Sequence, residues 1–587
     1  HRLSWTALAH LSTDNNASKM YLATLKFPYS SMLGRANRSG VPAPASTGSI
    51  SIIIEQVPYR VGSAHLLNTL INDNKELLTD NKVVNASTIQ YYFDLVDRFG
   101  PNAQLLEFFH AISSCGEDAN VEPLPKNQTT LIKKLVTSVK DPNLSILLSL
   151  YTVEGKKSAL DFFKKSTVKV GSKSSPDDDR YLGQEIVDEE GNATFPKVYV
   201  KWSWTENWSG ETDNLYWLPE QLGMHMETIN GQQHLPLEEL CCILDSDSWT
   251  AAQKKEFKSS HVVTGMADAD GHSIIAKYFQ AQIELFAEMA IGRNYEVIYE
   301  LEKLFPYVTL VGILSMKLPD KILSSFVKLM GRIWVDRYPS EENCGRQMFP
   351  DNIWFLDEIN EFPSEISDPA CFPKFALPEV SPLKQHKEKY YNISGDNKFK
   401  LLKKFIQNFL NDSCLVAESM AHNICIKEVL SLITSLLSFG FYSADLEEVV
   451  ELVVPLLDGR TDVLTSHSQI PVGNERYASS PQGTVIMSAK TSMLESLGVI
   501  VSLRKHFRLA QFLKLYHKDY YGSGKGDLKQ ITGIFDDNEE TVNRLNLHSC
   551  CERKKFSPFN AILMDLLMYD SDNLFERALL CLTEEFS

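Results

Sequence analysis

Three apolar stripes at helical spacing fill residues 276–339, and they constrain the fold more than any other feature of the chain. In the first, Phe279, Ile283, Phe286 and Ala290 recur on one face, with Gln280, Gln282, Glu284 and Glu288 between them. Gly292 and Asn294 then loosen the chain. A second helix carries Val297, Ile298, Leu301 and Leu304, and Pro306 ends it because proline forbids an interior helical bond. After Leu318-Pro319-Asp320 a third carries Ile322, Leu323, Phe326, Leu329, Met330 and Ile333. Short helices of this kind cannot bury their stripes alone. They need stacked neighbours, as in an α-solenoid.

The same rhythm runs on both sides of this stretch. Towards the N-terminus, Leu66, Leu67, Leu70 and Ile71 form one stripe, closed by Leu77-Leu78. Ile89, Tyr92, Phe93, Leu95, Val96 and Phe99 form the next, followed by Leu105, Leu106, Phe108, Phe109 and Ile112, then Leu131, Leu135 and Val136. Residues 18–27 suit a further helix. Towards the C-terminus, helices are expected over 399–409, 426–439 and 445–457, with Gly440-Phe441-Tyr442 as a joint and 459–484 as a polar loop. The expected fold is all-α, an armadillo-like α-solenoid of stacked helices with a short β-like insert and long loops. Three regions follow: a first helical lobe at 1–153, a charged linker and Trp-rich strand-like insert at 154–271, and a second helical lobe at 272–587.

The insert is marked by a change in composition. Lys156, Lys157, Lys164, Lys165, Lys169 and Lys173 precede Asp177-Asp178-Asp179 and Asp188-Glu189-Glu190, with Ser and Gly between, which reads as a solvated tether. Residues 195–204 then alternate as a strand does. Trp202, Trp204 and Trp208 could form a carbohydrate or peptide platform; a hydrophobic plug is the more ordinary use of clustered aromatics.

A length of 587 residues exceeds one ordinary core, so two or more domains are expected. A net charge of −17 argues against nucleic acid as a partner, since binding it requires clustered Lys and Arg. No apolar run approaches a membrane span: 449–457 is about half of one, and Glu451 and Pro455 interrupt it. No signal peptide is expected, and the missing initiator Met suggests a piece of something longer. The ten cysteines include the adjacent pairs Cys241-Cys242 and Cys550-Cys551, neither a CxxC, and read as reduced cytosolic thiols.

Motif by motif, the chemistry falls away. Asp268-Ala269-Asp270-Gly271 would place Met266 and Lys277 at the first and last calcium-ligand positions of an EF-hand loop, and neither can serve. It reads as a loop and cap before a helix near Ile274. Gly522-Ser523-Gly524-Lys525-Gly526 lacks the leading Gly and the trailing Ser/Thr of a phosphate loop, because Asp519 and Gly526 stand there. His548, Cys550 and Cys551 have no zinc-type spacing to further ligands. Asp357 and Glu358 read as surface charge. No catalytic, cofactor-binding or metal-ligating residue is assigned, and no enzyme activity or cofactor is expected.

Several words of the sequence resemble one family. YFQAQIELFAEMAIGRNYEVIYEL (278–301) and LPDKILSSFVKLMGRIWVDRYPSE (318–341) are similar to the cytosolic helical region of the inositol trisphosphate receptors, the tetrameric calcium-release channels of the endoplasmic reticulum. AQLLEFFHAISSCGEDANVEPLPKNQTTLIKKLV (103–136) resembles the domain these share with ryanodine receptors, in which a Cys-ended helix leads to Asn-Gln; here these are Cys115, Asn127 and Gln128. As residues they read structurally, as a small buried thiol and a helix-start amide pair. Tyr59-Arg60-Val61 with 66–78, the Gly-Phe-Tyr joint, the helix pair expected over 490–513 with its Arg/Lys-rich turn, and 562–587 follow in family order. The strand-like insert between the two lobes points to the inositol trisphosphate branch.

The resemblance implies a regulatory, transducing segment on the cytosolic face of the endoplasmic reticulum membrane. Its partners would be other domains and subunits of a homotetramer, and it would meet the membrane only through a pore region outside this chain. Loops near Gly292, Gly312 and Gly440 are the hinge candidates. Inositol trisphosphate binding is not expected of this segment: aligning Tyr21, Ala23 and Phe27 puts the family's Tyr-Arg-Lys triplet on Asn15, Asn16 and Ala17, which cannot replace cations facing phosphate. A free-standing α-solenoid scaffold with a protein-binding groove is the alternative.

Overall fold

A computed structural model describes residues 53–54, 57, 63–72, 74–79, 84–116, 121–140, 146–154, 157–158, 195, 197–202, 219, 222–246, 252, 269–336, 399–438, 442, 446–465, 469–522 and 547–585. The expectations for 18–27, Asn15–Ala17, Tyr21, Ala23, Phe27, Trp204, Trp208, Asp357, Glu358 and Gly440 lie outside the described residues. The chain divides into two compact units, residues 1–172 with 185–334, and 173–184 with 335–587. The described residues are predominantly helical, with two small antiparallel sheets.

The first unit opens with α1 (Ser63–Ile71), α2 (Lys75–Thr79), α3 (Ala86–Phe99) and α4 (Ala103–Ser113). Asn85 caps α3 by accepting from the amides of Ser87 and Thr88, and Asn102 caps α4 by accepting from Gln104. A two-stranded ribbon, β1 (Ser114–Cys115) and β2 (Glu122–Pro123), leads into α5 (Pro125–Lys140). The apolar stripes are buried as the periodicity requires: Leu67, Leu70, Tyr92, Leu95, Phe109 and Leu131 are fully enclosed. Tyr92 stacks flat on Phe108, with ring centroids 4.0 Å apart.

Next comes a five-stranded antiparallel sheet in the order β4-β3-β5-β7-β6, larger than the short insert expected. Its strands are β3 (Ser149–Glu154), β4 (Lys157–Ser158), β5 (Val198–Lys201), β6 (Glu227–Ile229) and β7 (Gln232–Pro236). The strand expected at 195–204 is β5, but its Val198, Tyr199 and Val200 are all buried, so it is covered on both faces rather than alternating. The sheet escaped the sequence reading because β3 pairs with β5 across a long separation, through Thr152 and Val198, and leaves no local signature. A short helix, α6 (Leu237–Cys241), follows β7.

Four helices then stand where three were expected: α7 (Ala269–Met289), α8 (Tyr295–Leu304), α9 (Tyr307–Leu314) and α10 (Asp320–Met330). Pro306 ends α8 as anticipated, but it also occupies the N-cap of α9, where its lack of an N–H costs nothing. In the stretch expected as a loop and helix cap before Ile274, the helix begins at Ala269. α7 is the spine of the unit. It packs on α4 and on α10, and both Phe279 and Ile283 are fully buried. Burying each such side chain stabilises by about 1.5–3 kcal/mol relative to leaving it in water. Because helices from both sides of the 154–271 stretch pack together, residues 272–334 belong to this first compact unit.

The second unit contains α11 (Lys400–Asn411), α12 (Met420–Ser438), α13 (Leu446–Leu457), α14 (Pro481–Gly522), α15 (Leu547–Lys554), α16 (Phe559–Leu566) and α17 (Asp572–Glu585). The helix pair expected over 490–513 is a single helix, α14. No Gly or Pro occurs between Val499 and Tyr521, and Leu, Arg, Lys and Gln there are good helix formers, so nothing forces the turn. Two helical stretches, 420–438 and 481–502, are long and apolar enough by length and composition to cross a membrane, which a search for unbroken apolar runs missed. They pack against each other, and 50% and 61% of their windows are buried in the fold, which is the use a core helix makes of such composition.

Candidate functional site

The polar loop expected at 459–484 folds into a corner that gathers more buried charge than any other part of the second unit among the described residues. Its first wall is the end of α13, where the last turn leaves carbonyls without helical partners. Lys490, on the buried face of α14, donates to the carbonyls of Leu456 and Leu457 and to Asp462 Oδ1, each at 3.1 Å. Both ends of this ion pair are enclosed, with the side chains 0% and 1% exposed. Asp458 caps the 3-10 turn Gly459–Thr461 by accepting from the Arg460 amide. Its carboxylate also takes two hydrogen bonds from the Arg460 guanidinium, each 2.8 Å, and one from Ser557.

The second wall comes from the 3-10 turn Gly473–Tyr477 and from α16. Arg476 donates to both oxygens of Asp565, at 2.8 and 3.0 Å, and to the Tyr477 hydroxyl. Tyr477 in turn donates to Asp565 and packs edge-on against Tyr569. Gly459 holds the two walls close. A Cβ there would run into the Tyr569 hydroxyl and press on Arg476 Cδ and Nε, each 3.1 Å away. The Asp462 Oδ2, Arg476 Nε and Tyr569 hydroxyl are buried with no hydrogen-bond partner among the described residues.

Three cations (Arg460, Arg476, Lys490) face three carboxylates (Asp458, Asp462, Asp565), so the corner is close to neutral as a whole while each group is poised differently. Burial pushes the Asp462 carboxyl up to about 6, against the opposing pull of Lys490. Burial acts the same way on Asp458, but the hydrogen bonds from Arg460 and Ser557 outweigh it and hold that carboxyl below its usual range. Burial opposes the charge of Arg476, and its bonds to Asp565 more than restore it. Burial also raises the Tyr569 hydroxyl. Chemically, the arrangement fixes the end of α13 to α14 and α16, and it can take up a proton at Asp462.

A second polar seam lies in the first unit, between α4, α7 and α10. His110 Nε2 meets the Ala281 carbonyl at 2.9 Å, Ser114 donates to Glu288, and Lys328 bridges to Glu288 at 2.6 Å. Burial lowers the His110 pKa. Glu288 is desolvated, yet Lys328 keeps its carboxyl below the ordinary range.

The residues singled out in the sequence take structural places. Asn127, in the first turn of α5, donates to the Leu78 and Ile112 carbonyls. Gln128 donates to Ser113 and Ile291, and accepts from Asn294. Cys115 is half-buried on β1 rather than enclosed. Of the hinge candidates, Gly292 has φ +77 and lies so close to Pro123 that a side chain would overlap the proline ring, while a Cβ added at Gly312 would come within 3.1 Å of the Phe195 side chain. Both are points of tight contact. His548, Cys550 and Cys551 all lie on α15, where Cys550 accepts from Arg553. Among the described residues no group of three His, Cys, Asp or Glu is arranged to hold a metal.

Sequence reasoning missed the charged corner because Asp458 and Asp462 precede Lys490 by 32 and 28 residues and read as loop polarity. One signal was present: Lys490 falls in register with Ile486, Met493 and Leu497 on an otherwise apolar stripe.

No family model matches the chain. The chain is similar to the crystal structure of SYS-1 over 99% of this chain and 99% of that one, at 10% identity and a TM-score of 0.14. At that score it carries no argument about fold or function.

Proposed function

We propose that this chain is a regulatory, transducing segment of a calcium-release channel of the inositol trisphosphate receptor type, homotetrameric and lying on the cytosolic face of the endoplasmic reticulum membrane. In this reading its helices stack as an armadillo-like solenoid and carry ligand-induced motion towards a pore supplied elsewhere in the assembly. The resemblance of the ordered sequence words is the basis of the proposal. The supporting observation is that the strongest of those words, residues 278–301, includes most of α7, the helix that packs on both α4 and α10. A rod gripped on two sides moves its neighbours with it, because packed interfaces have discrete arrangements.

The role is mechanical: the charged corner and the α4–α7–α10 seam fix helix against helix. The test is reconstitution of the full-length protein into calcium-loaded vesicles. Calcium release on addition of an inositol polyphosphate supports the reading. A full-length protein that stays soluble, monomeric and unable to release calcium refutes it and favours a protein-binding scaffold.

A further inference from the structure

The helix α17 carries more apolar surface than the described residues of its unit cover. On α17, Leu574, Ala578 and Cys581 face inwards against α14, and Arg577 pairs with Glu495 of α14 at 3.6 Å. Beside that buried stripe runs a second one, Phe575, Leu579 and Leu582, at the same spacing. Phe575 is 45% and Leu579 42% exposed, and Leu580 lies next to them, also exposed. With roughly 3.6 residues per turn, the two stripes make one apolar arc of about 160°, of which only part is covered. Met564 on α16 and Met568 just beyond its end are exposed as well. Five of the nine large apolar side chains that stand exposed among the described residues therefore fall between 564 and 580.

The surroundings of the stripe are acidic. Asp570, Asp572 and Glu576 are exposed at its start. Asp565 is engaged by Arg476, and the one base of the segment, Arg577, is engaged by Glu495. A second copy of this helix would bring the same acidic rim against this one. An anionic bilayer would be repelled in the same way. Apolar anchors at i, i+4 and i+7 framed by carboxylates match a helix with its own apolar stripe and Lys or Arg flanks.

We propose that the outer face of α17 docks a basic amphipathic helix, with Phe575, Leu579 and Leu582 as the apolar contact and Asp572 and Glu576 as the charge contact. α17 is 14 residues long and spans about 21 Å, so a partner of similar length suffices.

The test uses the whole chain and two labelled 18-residue peptides with identical leucine stripes, one flanked by Lys and Arg and the other by Glu, followed by fluorescence anisotropy. The basic peptide is expected to bind and the acidic one to bind at least about tenfold more weakly. The double variant Phe575→Ser/Leu579→Ser should weaken the basic peptide about tenfold or more, since truncating central apolar anchors carries most of such binding. Asp572→Asn/Glu576→Gln, a surface pair that leaves the apolar stripe intact, should weaken it several-fold and flatten its salt dependence. Equal binding of the two peptides overturns the proposal, as does unchanged binding by either double variant. Self-association of the free chain, or flotation with zwitterionic vesicles, lost in Phe575→Ser/Leu579→Ser would also overturn it by assigning the face to a second copy or to a membrane.

Discussion

Replacing Lys490 by Met is the sharpest perturbation of the second unit. The methionine keeps most of the length and apolar stem of the lysine, so packing on α14 changes little, but three hydrogen bonds of 3.1 Å vanish together. Asp462 is left without its ion-pair partner, 1% exposed, and must either stay charged there or take up a proton, and the Leu456 and Leu457 carbonyls lose their donor. Removing one member of a buried ion pair costs about 3–5 kcal/mol. At about 1.36 kcal/mol per power of ten, that predicts a loss of protection by roughly 2.2 to 3.7 powers of ten. Amide hydrogen exchange of peptides covering 456–462 and 486–497 measures it locally, without assuming that the two units unfold together. The loss should shrink on going from pH 7 to pH 5, because a carboxyl already raised to about 6 protonates and no longer carries an unpaired charge. It should also shrink in Lys490→Met/Asp462→Leu, which removes both ends of the pair. A loss under about 1 kcal/mol at pH 7, or one that does not depend on pH, refutes the assignment of Lys490 as the tie of this corner.

Other outcomes follow from the same geometry. The folded Asp462 carboxyl is raised from 3.8 to about 6, so the native state holds a proton that the unfolded chain has released. Its contribution therefore falls as pH rises through this window, by up to about 3 kcal/mol; in denaturant titrations that slope should disappear in Asp462→Asn. Gly459→Ala should destabilise the second unit by about 1–3 kcal/mol through overlap with the Tyr569 hydroxyl, and Tyr569→Phe should restore part of the loss in the double variant. Gly292→Ala combines a positive φ with contact against Pro123, so protection around residues 122–128 should drop while the second unit is unaffected. Calorimetric titration of this chain with inositol trisphosphate should show no sub-micromolar binding; such binding would place a ligand triplet elsewhere than Asn15–Ala17.

The periodic parts of this fold were legible in the sequence, and the partnerships across it were not. Phe279, Ile283 and Phe286 repeat at a spacing that fixes both the helix and the face it buries, and they are enclosed as that spacing requires. Punctuation was read less well. Pro306 reads in sequence as a stop, yet a residue that ends one helix can cap the next, and α9 begins after it. The basic run near Arg504 suggested a turn, yet charged residues with high helix propensity continue α14. The sheet and the charged corner depend on residues far apart in the chain. Gln282 on α7, for instance, exchanges two 2.9 Å hydrogen bonds with the backbone of Leu148, and nothing near either residue announces it. A buried lysine on an apolar stripe was the one local clue to the corner, and it does not name its acid.

The relay reading stands or falls on the assembly that contains this chain. Single-particle imaging of the full-length protein in detergent is the direct measurement. A fourfold particle in which this chain forms a helical cytosolic arm joined to a membrane-embedded core is the predicted result. A particle without fourfold symmetry, or a full-length protein with no membrane core, contradicts the account.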